Sequence, residues 1–295
     1  MKRRSDLLDE AFIRQLEQLE LVVRRLQSGK THGEKRSKRR GSGSEFADYR
    51  DYVQGDDPRF IDWNIAGRLD RLFLKLFHEE EDLRVSVFLD TSRSMGFGDP
   101  PKLAYAKKLA AALSYVALAN YDRVTIEAAR EGGLERFRPA RGRAMIWPML
   151  EFLQGVSAQG GTDLHQGLKQ FAQRQEGPGM RIVVSDFLDK RGYEGALRWL
   201  AGGGSPAVLV QVLSPQEVQP SIAGDIAVED AEDGALVEVS ISGSLLRRYA
   251  ANVRSLVGGL RDYSRARGMA FFFAQTSHPI ETLLLAAFRR AGILR

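Results

Sequence analysis

The 295-residue chain contains no cysteine. Disulfides, thiol nucleophiles and cysteine-ligated zinc are therefore excluded, and the composition suits a reducing compartment. Long apolar runs are missing as well: none approaches the roughly 20 residues that a membrane-spanning helix needs. The opening residues, MKRRSDLLDEAF, put charges where a secretory signal needs its apolar stretch. A soluble, cytoplasmic protein is expected. No phosphate loop of the Gly-x-x-x-x-Gly-Lys type occurs, and His32, His78 and His278 are too scattered to suggest a zinc set.

A large excess of one charge is lacking too. There are 43 Lys and Arg against 38 Asp and Glu, for a net charge of +5. Much of that excess sits in one tract, KTHGEKRSKRR from Lys30 to Arg40. Such a tract can contact nucleic acid or anionic lipid through phosphates. The aromatic residues lie in a separate segment, so a solvated linker is the better reading and nucleic acid is not an expected partner.

A 43% hydrophobic content over this length supports one large core with an appendage. Four segments can be distinguished. Residues 1–28 read as an amphipathic helix, because Leu8, Phe12, Leu16, Leu19, Val22, Val23 and Leu26 recur at a spacing of three to four and make one apolar face that should dock onto something. Residues 29–44, ending in Gly41-Ser42-Gly43-Ser44, read as a basic flexible linker. Residues 45–82 are aromatic and charged at once and are expected to form an ordered extension packed on the main domain, with a strand from Leu72 to Phe77. Trp63, Trp147 and Trp199 are expected to anchor cores.

Residues 83–295 alternate apolar strands with amphipathic helices, the pattern of a doubly wound, mostly parallel sheet with helices on both faces. The expected strands are Arg84 to Leu89, Arg123 to Ala128, Arg181 to Ser185, Ala207 to Leu213 and Met269 to Gln275. Leu134 to Arg138 suits an edge strand, and Ile226 to Ser240, with Asp233-Gly234 at its centre, suits an inserted hairpin. The expected helices are Lys102 to Ala119, Ala144 to Gly155, Leu164 to Gln175, Tyr193 to Ala201, Leu245 to Arg267 and Pro279 to Ala291.

In such a sheet, ligands sit at the carboxyl ends of the strands. The first strand of the alternating region leads into Asp90-Thr91-Ser92-Arg93-Ser94, which brings a carboxylate and two hydroxyls to alternate positions of one loop. A second loop, Gln159-Gly160-Gly161-Thr162-Asp163, opens a helix, and the strand MRIVVS runs into Asp186. Asp90, Ser92, Ser94, Thr162 and Asp186 are all oxygen donors, the set that a hard cation such as magnesium prefers. Plain readings exist beside this one: Thr162 or Asp163 could cap the following helix, Asp186 could cap a turn, Ser92 and Ser94 could be ordinary loop hydroxyls, and His165 reads as structural or exposed.

The five positions resemble the metal-ion-dependent adhesion site of von Willebrand factor A domains. That resemblance implies a Rossmann-type sheet, with Asp90, Ser92 and Ser94 on the first segment, Thr162 on the second and Asp186 on the third. It implies a bound Mg2+, Mn2+ or Ca2+ whose shell is completed by an acidic residue of a protein partner. The preceding stretch, GSGSEFADYRDYVQGDDPRFIDWNIAGR, with the acidic run Glu79-Glu80-Glu81, resembles the signature of the bacterial domain of unknown function 58 family. Gly41, Gly43, Glu45, Phe46, Arg50, Tyr52, Gly55, Asp56, Arg59, Ile61, Asp62, Trp63 and Arg68 carry that match. The family is commonly encoded beside MoxR-type AAA+ ATPases, which implies such an ATPase or its client as partner in chaperone-like assembly or stress response. Many members carry N-terminal membrane helices, and the present sequence shows none, so a membrane-anchored role does not transfer.

The expectation is an interaction module and not an enzyme. One alternative is a metal-dependent phosphoester hydrolase using Asp90 as nucleophile, but phosphoaspartate hydrolases place a second aspartate where this chain has Ser92, and no general base stands near the motif. The other is nucleic-acid binding through the basic linker.

Overall fold

The computed structural model describes residues 7–21, 46–77, 83–158, 163–174, 179–201, 205–222, 224–229 and 234–295. The basic tract 30–40, Gly41, Gly43, Glu45, the acidic run 79–81, Thr162 and Asp233 lie outside these residues. The chain divides into two compact units, one formed from Met1–Ser28 with Leu83–Arg295 and the other from Gly29–Asp82.

The larger unit is a mixed α/β structure built on a six-stranded sheet. In chain order its strands are β3 (Arg84–Leu89), β4 (Arg123–Arg130), β5 (Gly133–Arg141), β6 (Met180–Ser185), β7 (Ala207–Leu213) and β10 (Ala270–Gln275). Their order across the sheet is β10-β7-β6-β3-β4-β5. All neighbours run parallel except β5, which pairs antiparallel with β4 at the edge. Two adjacent interior strands, MRIVVS and AVLVQVL, are buried at every position. Apolar side chains without alternation are what a strand covered on both faces requires.

Alternate residues along β3 separate two cores. Val85, Val87 and Leu89 pack in one, together with α3 (Lys102–Ala119) and α4 (Ile146–Gly155). Phe88 points into the other, with side chains of α5 (Leu164–Gln173), α6 (Glu194–Ala201) and Leu260 of α8 (Gly243–Ala266). The period of two along a strand makes this division. Helix α3 is buried almost all round, and its alanines at 106, 110, 111, 112 and 117 let it lie close to the sheet.

The apolar face near the N-terminus finds its partner within the same unit. Asp9 caps α1 (Glu10–Leu16), its Oδ1 accepting from the Phe12 N–H at 2.7 Å. Phe12 and Leu16 are buried in the core that contains α3. The Tyr115 hydroxyl donates to Glu17 at 3.2 Å, and Asn120 Nδ2 donates to the Leu19 carbonyl at 2.8 Å. The helical spacing continues beyond Leu16, yet the helix stops there and Leu21 forms an antiparallel bridge with Leu294. Backbone pairing with the C-terminal residues outweighs local propensity, as tertiary contacts commonly do. Leu16→Ala should lower stability by about 2–5 kcal/mol, read as a shifted urea midpoint of the full chain.

The smaller unit pairs β1 (Phe46–Asp51) antiparallel with β2 (Phe73–Phe77) around α2 (Trp63–Leu69). Asp62 caps α2 by accepting from the Asn64 and Ile65 amides at 3.0 and 3.2 Å, and it pairs with Lys75 at 3.1 Å. Arg59 is held by Asp57 at 2.7 Å, and buried Asp56 by Arg50 at 2.8 Å. Arg50, Asp56, Arg59 and Asp62 thus have ionic partners inside their own unit.

The tryptophans differ from expectation. Trp63, Trp147 and Trp199 are 66%, 42% and 43% exposed and do not anchor cores. Helix α4 buries Met149, Leu150 and Leu153, and α6 buries Ala196, Leu197 and Leu200, so Trp147 and Trp199 fall off the inward faces. Lys169 lies over the Trp199 ring at 5.1 Å. A separate hairpin joins β8 (Gly224–Glu229) to β9 (Leu236–Ile241), with Val228, Leu236 and Val237 exposed.

Candidate metal centre

Strand order reverses between β3 and β6. The chain moves from β3 outward to β4 and β5 on one side, then returns to β6 on the other and continues to β7. Parallel sheets open a crevice at the carboxyl ends of two such strands, because their connections leave over opposite faces. Asp90 follows β3 and Asp186 follows β6, so both carboxylates stand at this crevice.

The loop after β3 is built around Asp90. Its Oδ1 accepts from the Ser92 amide at 2.9 Å and its Oδ2 from the Ser185 hydroxyl at 2.5 Å. The Thr91 hydroxyl donates to the Ala129 carbonyl, which ties the loop to β4. A short 3-10 turn over Arg93–Gly96 then buries Met95 completely and leaves Ser92 and Ser94 on the site side. The Ser92 and Ser94 hydroxyls lie 3.0 Å apart, and Ser94 Oγ donates to Asp186 Oδ2 at 2.7 Å. Four of the five expected residues, Asp90, Ser92, Ser94 and Asp186, therefore meet in one linked group. Thr162 is outside the described residues. Its neighbour Asp163 caps α5, accepting from the Gln166 amide at 3.0 Å, and Arg191 Nη2 donates to it at 2.6 Å. That guanidinium holds the Asp163 carboxyl below its ordinary range. Arg191 lies five residues beyond Asp186 and so joins the loop leading into α5 to the loop leaving β6. His165 Nε2 bonds the Gly192 carbonyl at 2.9 Å, a structural contact between the same two loops.

Four further residues complete the centre. Ser185 bonds Asp90, and Gln211 Nε2 donates to the Asp186 carbonyl at 3.0 Å. Lys102, the first residue of α3, donates through Nζ to Asp186 Oδ2 at 2.6 Å and also to Glu217 Oε1 in α7 (Pro215–Val218). Lys102 has 0% of its side chain exposed and Asp186 has 3%. Glu217 is the reciprocal member of a capping box, its Oε2 accepting from the Ser214 amide at 2.8 Å. That Ser-x-x-Glu spacing is visible in the chain, but nothing in it shows that the glutamate faces Lys102. Gly98 lets the β3 loop approach Ser214: it has φ +100°, and a Cβ there would sit 2.4 Å from Ser214 Cβ.

The backbone next to Asp186 is strained. Phe187 adopts φ +57° while its ring is buried. A bulky residue seldom takes that conformation, and such strain is concentrated where side chains must be held in place. The Phe187 amide donates to Ser185 Oγ at 2.9 Å and the Leu188 amide to Asp186 Oδ1 at 3.1 Å.

The ionisable groups of the site act on one another. Burial, and then the neighbouring Asp186 carboxylate, push the Asp90 carboxyl up to about 6. Burial also works against the Lys102 ammonium, but Asp186 and Glu217 outweigh it and raise its pKa. Two carboxylates and two hydroxyls in contact make an all-oxygen set, which suits Mg2+, Mn2+ or Ca2+. Among the described residues no group of three or more His, Cys, Asp or Glu side chains could hold a metal ion, so a cation here would depend on serine oxygens and water. Buried Gln211 Oε1 has no hydrogen-bond partner among the described residues, an unsatisfied acceptor on the strand beside Asp186.

A family model described as protein of unknown function DUF58 matches residues 48–256. The chain belongs to the DUF58 family. The resemblance read from the aromatic segment is borne out, and the matched span includes Asp90, Lys102, Asp186 and Glu217. This DUF58 chain is 28% identical over 252 residues to uncharacterized proteins of Mycobacterium tuberculosis and Mycobacterium bovis, covering 84% of the chain and 79% of each relative. It is also similar to the solved structure of the conserved hypothetical protein BatB of Bacteroides thetaiotaomicron. That likeness has a TM-score of 0.44 and 17% identity, over 72% of this chain and 98% of that one. Among the described residues no helix is long and apolar enough to cross a membrane.

Proposed function

We propose that this DUF58 protein is an interaction module and not an enzyme, with a von Willebrand factor A-like domain that binds an acidic residue of a protein partner through a divalent cation. The bond between Ser94 and Asp186 carries the reading, since it joins residues 92 positions apart into one oxygen-lined group at the strand ends. Asp90, Ser92, Ser94 and Asp186 would hold Mg2+, Mn2+ or Ca2+, with Thr162 as the fifth residue that the resemblance supplies. The bound cation would supply a Lewis-acidic position for an outside carboxylate. The protein's share is geometric: Ser185 and the Ser92 amide orient Asp90, while the Leu188 amide and Gln211 hold the Asp186 segment. Neutral serine donors leave more of a cation's charge uncompensated than carboxylates would, which favours an acidic ligand from outside.

The family's association with MoxR-type AAA+ ATPases makes such an ATPase, or a client of it, the proposed partner, in chaperone-like assembly or stress response in the cytoplasm. Capture of a purified MoxR-type ATPase by the immobilised chain tests this. Binding is expected in Mg2+ or Mn2+, lost with a chelator and restored by excess cation. Equal capture with and without chelator would contradict the proposal.

A further inference from the structure

The cation site already contains a positive charge. Asp186 Oδ2 accepts from both Ser94 Oγ and Lys102 Nζ, so the oxygen that links the two loops is also the one the ammonium holds. Any cation that takes this oxygen meets Lys102 within bonding distance of the same carboxylate. Two cations sharing one carboxylate repel, and the low polarity of a fully buried position strengthens that repulsion. One carboxylate is enough to neutralise a lysine ammonium. Lys102 has two, and Glu217 is anchored independently by its capping-box bond to the Ser214 amide.

Resting on the metal-site reading above, we infer that Lys102 is a resident counter-ion that competes with a divalent cation for Asp186, and that Glu217 is the second acceptor that lets it yield. In the metal-free protein Lys102 neutralises Asp186 and keeps the site assembled. When a divalent cation is present, Lys102 retains Glu217 and relaxes its hold on Asp186. The affinity of the site is thereby set by a residue outside the four oxygen donors. The charge arrangement also disfavours monovalent cations, which offer Asp186 nothing that the ammonium does not.

Mn2+ titration of the intact chain by calorimetry, with melting curves as a check on folding, separates the outcomes. Glu217→Gln keeps a side chain able to close the capping box but commits Lys102 to Asp186, and should weaken Mn2+ binding by about tenfold. The double variant Lys102→Met, Glu217→Gln has the same net charge as the unaltered chain and frees Asp186, and should bind Mn2+ about tenfold more tightly. The Lys102–Glu217 pair is removed as a whole, but buried Asp186 loses its counter-charge, so melting curves with and without Mn2+ show whether this variant folds. An unchanged Mn2+ affinity of Glu217→Gln overturns the inference as well. Binding by the double variant alone, with the unaltered chain silent, supports the competition in its strongest form. If the unaltered chain binds and the double variant is no tighter, Lys102 is only a structural ion pair and the inference is overturned while the metal site stands. If none of the three binds, the metal reading fails and the inference fails with it.

Discussion

Asp90→Ala is expected to weaken divalent-cation binding by at least about a hundredfold, roughly 2.7 kcal/mol of binding free energy, and to abolish cation-dependent partner capture. Asp90 is the carboxylate that follows β3, and the Ser92 amide and Ser185 hydroxyl hold it through its two different oxygens. No ion pair involves Asp90 among the described residues. Stability should respond far less. Burial already disfavours the ionised carboxyl, and alanine removes that penalty while leaving the Ser185 hydroxyl and Ser92 amide without an acceptor. Those two effects oppose, so a net change of about 1–2 kcal/mol is expected. Calorimetry with Mn2+ and a urea denaturation curve measure both quantities on one preparation. An Asp90→Ala protein that binds Mn2+ as tightly as the unaltered chain would place the cation elsewhere, or nowhere.

Lys102→Met should do the reverse, with its large effect on folding. The ammonium is the shared partner of Asp186 and Glu217, and methionine matches its length but not its charge. Removing one member of a buried ionic group leaves the others desolvated and uncompensated, which costs about 3–5 kcal/mol. For a chain of this size that corresponds to a melting midpoint lowered by roughly 6 °C or more. Glu217→Gln should cost less, because Lys102 keeps Asp186 and the glutamine can still accept from the Ser214 amide. Equal stability of Lys102→Met and the unaltered chain, by thermal or urea unfolding, would contradict the buried-pair account.

Much of the site was legible beforehand because it depends on order along the chain. Strands β3 and β7 have the boundaries read from their apolar runs, and β4, β6 and β10 differ by one or two residues at an end. In a parallel sheet, residues that follow successive strands emerge at the same edge whatever the side-chain detail. Asp90, Ser92, Ser94 and Asp186 could therefore be assigned to one place from their positions alone. Lys102 and Glu217 could not. A lysine near the start of a helix is ordinarily solvated, and only the tertiary fold, which brings Asp186 and Glu217 beside it, turns this one inward. The pairing joins residues 115 positions apart, and no local pattern encodes it.

The same division runs through the rest of the protein. Burial on two faces demands uninterrupted apolar strands and burial on one face demands helical periodicity, so composition and spacing by themselves determined the mixed α/β class and most element boundaries. The tertiary structure decided which faces turned inward. It exposed Trp63, Trp147 and Trp199, ended the first helix at Leu16 by pairing Leu21 with Leu294, and placed an ammonium on Asp186. Periodicity reports that a side chain has a preferred environment, but the neighbour that provides it comes from distant parts of the chain and exists only once they have packed together.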